Sequence, residues 1–358
     1  MKRLFSLLWP CLWLCAANSF AAEGERVVFV APQPEQARLV IHAATDLDAM
    51  RPLVLDFQQI EPNTTIEITD YVTNDLFRDS ALACANGSRM ADIVLSSSVD
   101  QLVKLANDGC AQPHQSIETA SVADWANWRN EVFGFTFEPA VFVYDASRVP
   151  AEDVPKSHEG LADLLRRKPT EYQGRIGTYD INASGVGYLL AFNDARIAPT
   201  VYGRLLESLS RTKAIIRCCN NEVLGEIANG NIRIAYNVLG SYAYAASLKN
   251  PDLKIVIPRD YALILSRGAM IPVRAAHPEL GTRFLNYLLS VRGRKTARDK
   301  SFFFAKGFDL PPGVDGPVSL IESGIGRPIR IGPALLAAQD EAQRKRFIQD
   351  WQKLILQR

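Results

Sequence analysis

Short apolar segments alternate with amphipathic segments along most of this chain. Arg38 to Ala44 has the pattern of a short buried strand, and Asp46 to Gln59 follows with apolar residues at helical spacing. The alternation continues through residue 107 and starts again after Pro150. Strand, helix and strand in succession predict parallel pairing with right-handed crossovers. Because 358 residues, 47% of them hydrophobic, can bury more than one domain core, the sequence predicts an α/β fold with two lobes.

One segment interrupts this rhythm. Residues 132–144 form a long extended run rich in aromatic side chains, which we interpret as a crossing between the lobes. A second interruption is the stretch from Gly313 to Gly332, rich in glycine and proline, which leads into a predicted helix from Pro333 to Leu356.

The predicted division of the chain is a leader over 1–21, a first lobe over 22–140 with contributions from the C-terminal part, a second-lobe core over 141–236, a return segment that completes the lobes over 237–312, and a C-terminal extension with its helix over 313–358.

The N-terminus has the pattern of a secretory signal peptide. Lys2 and Arg3 precede an apolar run from Leu4 to Ala17, and small residues stand at Ser19 and Ala21. The apolar run is shorter than the roughly 20 residues that a membrane-spanning helix needs, which disfavours a membrane anchor. We expect cleavage after Ala21 and a mature protein in the periplasm.

Charge excludes two classes of partner. The 40 basic side chains fall to 38 when Lys2 and Arg3 are removed, against 39 acidic side chains. A chain so close to neutral has no bias toward nucleic acid or an anionic membrane surface. We therefore expect neither as a partner.

Four cysteines remain in the predicted mature chain. Cys84 and Cys110 both end helix-like segments on either side of one strand, and we expect them to pair, because an exported chain meets an oxidising compartment. Cys218 and Cys219 are adjacent, so they form either a strained vicinal disulfide or, as we favour, two half-buried thiols. A zinc site is disfavoured because the chain has no CxxC motif and its four histidines are scattered.

Small polar residues follow several of the predicted strands. In an open parallel sheet the ligand site lies beyond the carboxyl ends of the strands, and these positions lead into helix N-termini, which attract anions. For Thr45 or Ser98 taken alone, simple helix capping is the alternative. Convergence on one cleft would favour ligand binding over capping. The candidate ligand-binding residues from this pattern are Thr45, Asp46, Ser97, Ser98, Ser184, Gly185, Gly187, Tyr236 and Asn237.

An enzyme is disfavoured. Ser184 lies in Asn-Ala-Ser-Gly-Val instead of a Gly-x-Ser-x-Gly elbow, and no histidine has an obvious partner. A P-loop and a dinucleotide fingerprint are also missing from the sequence. We therefore predict no catalytic residue, no metal site and no cofactor.

The motifs of both halves resemble those of one family. They include Val-Ile-His-Ala-Ala-Thr-Asp at 40–46, Ala-Asp-Ile-Val-Leu-Ser-Ser-Ser at 91–98, the aromatic run at 134–144, Asp-Ile-Asn-Ala-Ser-Gly-Val-Gly at 180–187, Ile-Ala-Tyr-Asn-Val-Leu-Gly-Ser-Tyr-Ala at 234–243 and Pro-Val-Arg-Ala-Ala-His-Pro-Glu-Leu-Gly at 272–281. The chain resembles periplasmic solute-binding proteins of ABC transporters. Within them it is similar to the type 2 branch, which contains ferric-iron, sugar-phosphate and phosphoglycerate binding proteins.

This resemblance implies two lobes joined by two crossing hinge strands, with a ligand cleft between them that closes on the solute. On this chain the crossings would be the stretches around Glu138 to Val143 and Ala235 to Leu239. The candidate residues would then face the cleft. Glu138 would contact a ligand hydroxyl or amine, or else satisfy backbone donors of the hinge.

The resemblance also bears on the ligand. Iron-binding members use adjacent tyrosines, whereas this chain has Tyr236-Asn237-Val238, so ferric iron is disfavoured. A small anionic organic solute, phosphorylated or carboxylated, suits the remaining residues, with Ser184 and the amides of Gly185 to Gly187 as the anion site. Candidates for a bidentate grip on the anion are Arg89, Arg129, Arg259 and Arg267.

Two partners follow from the same resemblance. The loaded protein would deliver its solute to the membrane permease of an ABC importer, or it would contact the periplasmic domain of a sensor kinase. Both roles use the same closed state. The family implies a monomer.

Overall fold

The computed structural model describes residues 24–300, 310–311, 313–317 and 319–356. The predicted signal peptide over 1–21 lies outside these residues. The strands are β1 Arg26–Phe29, β2 Ala37–Ala44, β3 Thr64–Asp70, β4 Ile93–Ser96, β5 Ala111–Gln112, β6 Asn127–Trp128, β7 Val132–Gly134, β8 Glu138–Asp145, β9 Ile176–Tyr179, β10 Ile215–Arg217, β11 Ile234–Leu239, β12 Leu253–Val256, β13 Ala262–Leu265, β14 Gly268–Pro272, β15 Val314–Asp315 and β16 Gly326–Pro328.

The helices alternate with these strands over much of the chain. Short 3-10 turns lie at Asp124–Ala126, Ala151–Asp153 and Pro333–Leu336. The α-helices are α1 Leu47–Phe57, α2 Thr73–Ala85, α3 Val99–Asn107, α4 Ile117–Ala120, α5 His158–Arg167, α6 Gly185–Ile197, α7 Pro199–Arg211, α8 Asn220–Ala228, α9 Gly240–Lys249, α10 Pro278–Leu289, α11 Val291–Lys300 and α12 Glu341–Leu356. In the described part of the chain, no helix is both long enough and apolar enough to span a membrane.

The first sheet has the order β1-β3-β2-β4-β14-β7-β6, with β5 paired to β14. Strand β2 lies at its centre, parallel to β3 and β4, and Ile41 is opposite both Ile68 and Ile93. Helix α1 packs Met50 and Leu53 into the same core, where both are fully buried. Each such side chain contributes about 1.5–3 kcal/mol when fully buried, which fixes the helix on the sheet.

The second sheet has the order β10-β9-β11-β8-β12-β15, with β13 paired to β8 and β16. Strands β9, β10 and β11 are parallel, and β8 is antiparallel to β11, β12 and β13. One core of this lobe brings Phe142 of β8 together with Ile176, Leu161 and Leu205. Two sheets with helices packed on them therefore confirm the predicted two-lobe α/β fold.

Two short crossings connect consecutive strands of the two sheets, and a third, longer passage leads from β14 through α10 and α11 to β15. One short crossing runs from β7 in the first sheet to β8 in the second, across residues 135–137. The other short crossing runs from β13 back to β14, across Ser266 and Arg267. The crossing predicted around Glu138 to Val143 lies too late, because these residues already belong to β8 of the second sheet. The crossing predicted at Ala235 to Leu239 is wrong, because these residues lie in β11, which pairs with β8 and β9 inside the second sheet. A buried apolar run has the same sequence pattern in a crossing strand and in a central strand.

The Cys84–Cys110 disulfide is present as predicted. Cys84 lies in the last turn of α2 and Cys110 follows α3, which places their Cα atoms 5.7 Å apart. Cys218 and Cys219 are free and half-buried. The disulfide ties together two helices whose N-termini face the cleft between the lobes.

The C-terminal segment differs from its prediction as one helix from Pro333 to Leu356. A 3-10 turn ends at Leu336, and α12 begins only at Glu341, because the Asp340 side chain accepts the backbone N–H of Gln343 and starts a new helix. Between them the carbonyl of Ala338 accepts a hydrogen bond from the Tyr188 hydroxyl at 2.7 Å. The break therefore anchors the tail on the second lobe.

Candidate functional site

A polar cavity of about 360 Å³ lies between the lobes. We call it the inner cavity. Its walls come from the segments that follow β2, β3 and β4 in the first lobe and β9 and β10 in the second. The lining residues used below are Thr45, Asp46, Asp70, Thr73, Asp75, Ser97, Ser184, Cys218, Cys219, Asn220, Asn221 and Tyr242.

The N-termini of five helices contribute to this wall. Helices α1, α2 and α3 belong to the first lobe, and α6 and α8 belong to the second. Each N-terminus carries backbone N–H groups without helical partners and the positive end of a helix dipole. Parallel strands with helical crossovers place these ends at one edge of each sheet, and the cleft brings the two edges together. The helix N-termini therefore contribute positive electrostatic potential to the cavity.

The two lobes contact each other directly at one end of the inner cavity. The Gly185 amide of α6 donates to the Thr73 hydroxyl of α2 at 2.9 Å, and the Asn74 side chain donates to the Ala183 carbonyl at 2.9 Å. A Cβ atom at Gly185 would lie 2.5 Å from the Ser98 hydroxyl, so only glycine permits this approach. The contact brings the N-termini of α2, α3 and α6 together.

A second contact between the lobes lies at the other side of the cavity. The Asn221 side chain of α8 donates to the Asp46 carboxylate before α1 at 2.9 Å. The Asp46 amide also donates to the Tyr242 hydroxyl, at 3.4 Å. We call the Asp46–Asn221 bond the interlobe latch, because it joins residues of two different lobes across the cavity.

A larger groove of about 980 Å³ adjoins the inner cavity. The two share Asp46, Asp70, Asn221 and Tyr242 as walls. The residues that line only the groove are largely apolar and come from α1, α8 and α9. The latch therefore stands between the inner cavity and this groove.

Two hydroxyl groups at the site have no hydrogen-bond partner. Thr45 Oγ1 lines the inner cavity and Ser98 Oγ lies beside it, and the two residues are 2% and 0% exposed. Buried hydroxyls are nearly always hydrogen-bonded, because an unmet one costs free energy. Of the two, Thr45 Oγ1 belongs to a residue of the cavity lining, whereas Ser98 Oγ is enclosed behind Gly185.

Acidic side chains also line the inner cavity, and its lining, as far as the structure describes it, contains no lysine, arginine or histidine. Asp75 is paired with Arg78 at 2.7 Å, and Asp46 accepts the latch bond. Burial, followed by the charge of Asp46, raises the pKa of Asp70 to about 7. Near neutral pH the Asp70 carboxyl is therefore partly protonated and carries only part of its negative charge.

The structure brings together only some of the predicted site residues. Thr45, Asp46, Ser97 and Ser184 line the inner cavity, and Ser98 and Gly185 lie directly beside it. The Gly187 amide donates to the Ser184 hydroxyl at 3.1 Å, which is a helix cap. The Gly185 and Gly187 amides already have protein partners, so among these residues the hydroxyl of the lining without a protein partner is that of Thr45.

Tyr236 and Asn237 face away from the cavity. Both side chains donate to Asp194 inside the second lobe, Asn237 at 2.7 Å. The register of β11 shifts between Ala235 and Val238, and Asn237 has a φ of 66°, so the bulge turns these side chains inward. Burial raises the pKa of Asp194, and three hydrogen bonds hold it, the third from Tyr261.

Glu138 and Arg267, two separate candidates, bind each other at the crossings. Both side chains are fully buried, with Arg267 Nε 2.5 Å and Nη2 3.2 Å from the two carboxylate oxygens of Glu138. Thr136 and Ser241 also donate to this carboxylate. Arg267 Nη1 donates at 3.2 Å to the Tyr242 hydroxyl, which lines the cavity. The pair is thus a structural element of the hinge that lies behind the cavity wall.

The other three candidate arginines lie elsewhere. Arg89 is exposed, Arg129 pairs with Glu131 at 3.1 Å, and Arg259 pairs with Asp315 at 3.0 Å. They are outside the lining of the inner cavity.

Sequence reasoning missed several residues of the cavity wall. Asp70 ends β3 and Thr73 follows it, and Asn220 and Asn221 come after β10. The rule applied to the other parallel strands would therefore have found them. Tyr242 carries no such signal. It reaches the cavity from α9 through the fold of the second lobe.

The comparisons with known proteins agree with this geometry. The sequence matches the family described as bacterial extracellular solute-binding protein over residues 39–303. The substrate-binding protein of an ABC transporter from Agrobacterium tumefaciens is 30% identical, with a TM-score of 0.84 over 92% of this chain and 98% of that one. Among curated protein sequences, none is significantly similar to the chain.

More distant solved structures share the fold. AfuA from Actinobacillus pleuropneumoniae, with fructose-6-phosphate bound, is 15% identical with a TM-score of 0.71 over 90% of this chain and 99% of that one. Iron-bound HitA from Pseudomonas aeruginosa is 18% identical with a TM-score of 0.70, over 87% and 99%. The matched family consists of extracellular solute-binding proteins, and the Agrobacterium relative is the substrate-binding protein of an ABC transporter; neither is an enzyme. The chain belongs to the bacterial extracellular solute-binding proteins of ABC transporters.

Proposed function

We propose that this protein captures a small anionic organic solute, phosphorylated or carboxylated, in the inner cavity and delivers it to the permease of an ABC importer. We further propose that it works in the periplasm after cleavage of the signal peptide behind Ala21. Delivery to a permease is supported by the 30% identity to the Agrobacterium substrate-binding protein.

The observation that carries the anionic class is the convergence of five helix N-termini on one cavity. An anion held there is stabilised by the helix dipoles and by N–H and hydroxyl donors, without a lysine or arginine. The acidic side chains of the lining weaken the attraction for an anion only in part. Asp75 is neutralised by Arg78, and the pKa of Asp70 near 7 lets that carboxyl take up a proton when an anion enters.

Ferric iron is the less favoured cargo, although HitA is described as iron-bound. Tyr236, which stands where the resemblance to iron-binding relatives would need a tyrosine ligand, donates its hydroxyl to Asp194 within the second lobe. Among the described residues, no group of three or more histidine, cysteine or acidic side chains is arranged to hold a metal ion. The fructose-6-phosphate of AfuA is an example of the solute class that we propose instead.

Thermal unfolding of the purified mature protein tests this function. A panel of sugar phosphates, phosphoglycerates, di- and tricarboxylates, inorganic oxyanions, ferric iron and cationic amines is added one by one. A solute that binds the folded state raises the unfolding midpoint by mass action. We expect a rise with one class of organic anions, and a rise with amines or ferric iron alone would contradict the proposal.

Two substitutions locate the binding to the inner cavity. Thr45→Val removes a lining hydroxyl that has no protein partner and should weaken anion binding by about 10-fold with little loss of stability, whereas Ser98→Ala removes a hydroxyl enclosed behind Gly185 and should leave the affinity unchanged. Ser210→Ala is the matched control, because its hydroxyl is also buried without a partner but lies in α7, away from the cavity. Equal affinity in all three variants would place the solute elsewhere.

A further inference from the structure

Two adjacent thiols lie in the wall of the inner cavity. Cys218 and Cys219 connect β10 to α8, both are free, and both are half-buried against the cavity. Solute capture as proposed above makes no use of them. Reagents small enough to enter the cleft can therefore reach a pair of neighbouring sulfur atoms.

The chemistry of the two thiols differs. A hydrogen bond from the Cys219 thiol lowers the pKa of Cys218, and the same contact raises the pKa of Cys219. Thiolates are the reactive form in thiol–disulfide exchange, so Cys218 is the attacking sulfur of the pair. The family is extracellular and the same chain forms the Cys84–Cys110 disulfide, which means that disulfide oxidants are part of its chemical surroundings.

We propose that Cys218 and Cys219 form a thiol–disulfide exchange site in the wall of the inner cavity, which a small-molecule disulfide of the glutathione type oxidises reversibly to a Cys218–Cys219 disulfide. The Cys218 thiolate attacks one sulfur of the reagent, whose S–S bond breaks and releases a first thiol. The Cys219 sulfur then loses its proton and attacks the Cys218 sulfur, which releases a second thiol. The protein gives up two protons and two electrons, and one reagent disulfide becomes two thiols.

The backbone makes this bond labile. Adjacent Cα atoms are about 3.8 Å apart across a trans peptide, shorter than the usual separation in disulfides, so ring closure must twist the peptide between the two residues. Strained disulfides are the readily reduced ones. The oxidised state is therefore easily reversed.

Oxidation of the two thiols also affects the shape of the cavity, because α8 begins directly after Cys219. The Cys218 amide donates to the Glu222 carboxylate at 3.0 Å, and Asn220 and Asn221, which follow directly, line the cavity. Cys219 is the N-cap residue of α8, and its carbonyl accepts from the Val223 amide at 3.1 Å, so a twist of the Cys218–Cys219 peptide displaces the start of the helix. Asn221 is the donor of the interlobe latch, so the redox state of the pair acts on the closed form.

The test is a mass measurement on the purified mature protein with its Cys84–Cys110 disulfide intact. Reduced Cys218 and Cys219 are exposed to excess oxidised glutathione, remaining thiols are alkylated, and the protein is digested with trypsin. The tryptic peptide from Cys218 to Arg233 contains both residues and no other cysteine. We expect the oxidised peptide to be lighter than the reduced peptide by the mass of two hydrogens and to carry no alkyl group. Mild dithiothreitol should return the peptide to its reduced mass.

Single variants separate the two steps. In Cys219→Ser the second step is blocked, so the peptide should retain one glutathionyl group, and Cys218→Ser should react more slowly than Cys219→Ser. An unchanged wild-type peptide, or one that keeps glutathionyl groups, would overturn the proposal. This readout needs no solute, so it is independent of whether the proposed anionic cargo is correct.

Hydrogen exchange measures the effect on the cavity. In the oxidised protein the Val223 amide should exchange faster than in the reduced protein, because its bond to the Cys219 carbonyl is disturbed. A Cys218–Cys219 disulfide that leaves this exchange unchanged would refute the link to α8.

Discussion

At the scale of single residues, Glu138 and Arg267 form a buried ion pair at the crossings, behind the cavity wall. Each side chain is fully buried and each neutralises the other. Glu138→Gln keeps the shape of the side chain but leaves the Arg267 charge uncompensated. We expect this change to lower the free energy of unfolding by about 3–5 kcal/mol, measured by urea denaturation.

Two controls accompany that prediction. Replacing both partners by apolar residues, as in Glu138→Leu with Arg267→Met, should recover most of the lost stability, because no buried charge then remains. Glu207→Gln removes an exposed partner of Arg166 and should change stability by no more than about 1 kcal/mol. A loss in Glu138→Gln as small as that in Glu207→Gln would show that the hinge pair is solvated.

The free energy of unfolding depends on pH through the carboxyl group of Asp70. Burial and the nearby Asp46 raise its pKa from 3.8 to about 7, so the folded protein holds a proton that the unfolded chain has released. The contribution of Asp70 to stability is therefore fully present below pH 4 and is lost as the pH rises to 7. Asp70→Asn should flatten this part of the curve, measured as the difference between wild type and variant in urea unfolding from pH 4 to 8. Parallel curves would contradict the raised pKa.

At the scale of elements, the start of α1 and the start of α8 are joined across the cleft by the latch. Asn221→Ala removes the bond to Asp46 that joins the lobes, and a neutral donor to a carboxylate contributes about 1–2 kcal/mol. We expect solute affinity to fall by about 5-fold to 30-fold, because only the closed state loses a contact, while the unfolding free energy without solute changes little. Calorimetric titration measures the affinity.

The matched control for this latch is Asn231→Ala. Asn231 donates to Glu226 within the second lobe, so its loss should leave solute affinity unchanged. Equal effects of the two substitutions would mean that Asn221 acts through the fold of α8 and not through closure.

Elements with a clear apolar period could be predicted from the sequence. Helix α3 lies where its spacing predicts it, from Val99 to Asn107, and β2 begins one residue before its predicted start. Strand partners could not be predicted in the same way. The apolar run of β11 suits a crossing as well as a central strand, and only its pairing with β8 and β9 separates the two.

The site could be predicted to the extent that it follows the rule for parallel strands. Thr45, Ser97 and Ser184 follow such strands and line the cavity. Tyr236 and Asn237 met the same criterion but lie within β11, which continues to Leu239 beyond a bulge. The partnership of Glu138 with Arg267 depends on contacts across 129 positions of sequence, which no local pattern carries.

At the scale of the whole molecule, the lobes are linked by the C-terminal tail as well as by the two crossings. The 3-10 turn at Pro333–Leu336 packs on α3 of the first lobe, and α12 packs on α7 of the second. Between them Gln339 donates to the buried Asp100 of α3, while Ala338 accepts from Tyr188 of α6. In the closure that we propose for this cleft, the tail would therefore move together with the two crossings.

The central claim is that the inner cavity holds an organic anion by its charged group. Its most direct test is calorimetric titration of the strongest-binding anion found in the thermal screen, beside an uncharged analogue with the same carbon skeleton. Loss of a charged acceptor at the helix N-termini should weaken binding by about 10-fold to 100-fold. Equal affinity for the two compounds would contradict the account, because the helix N-termini would then play no part in recognition.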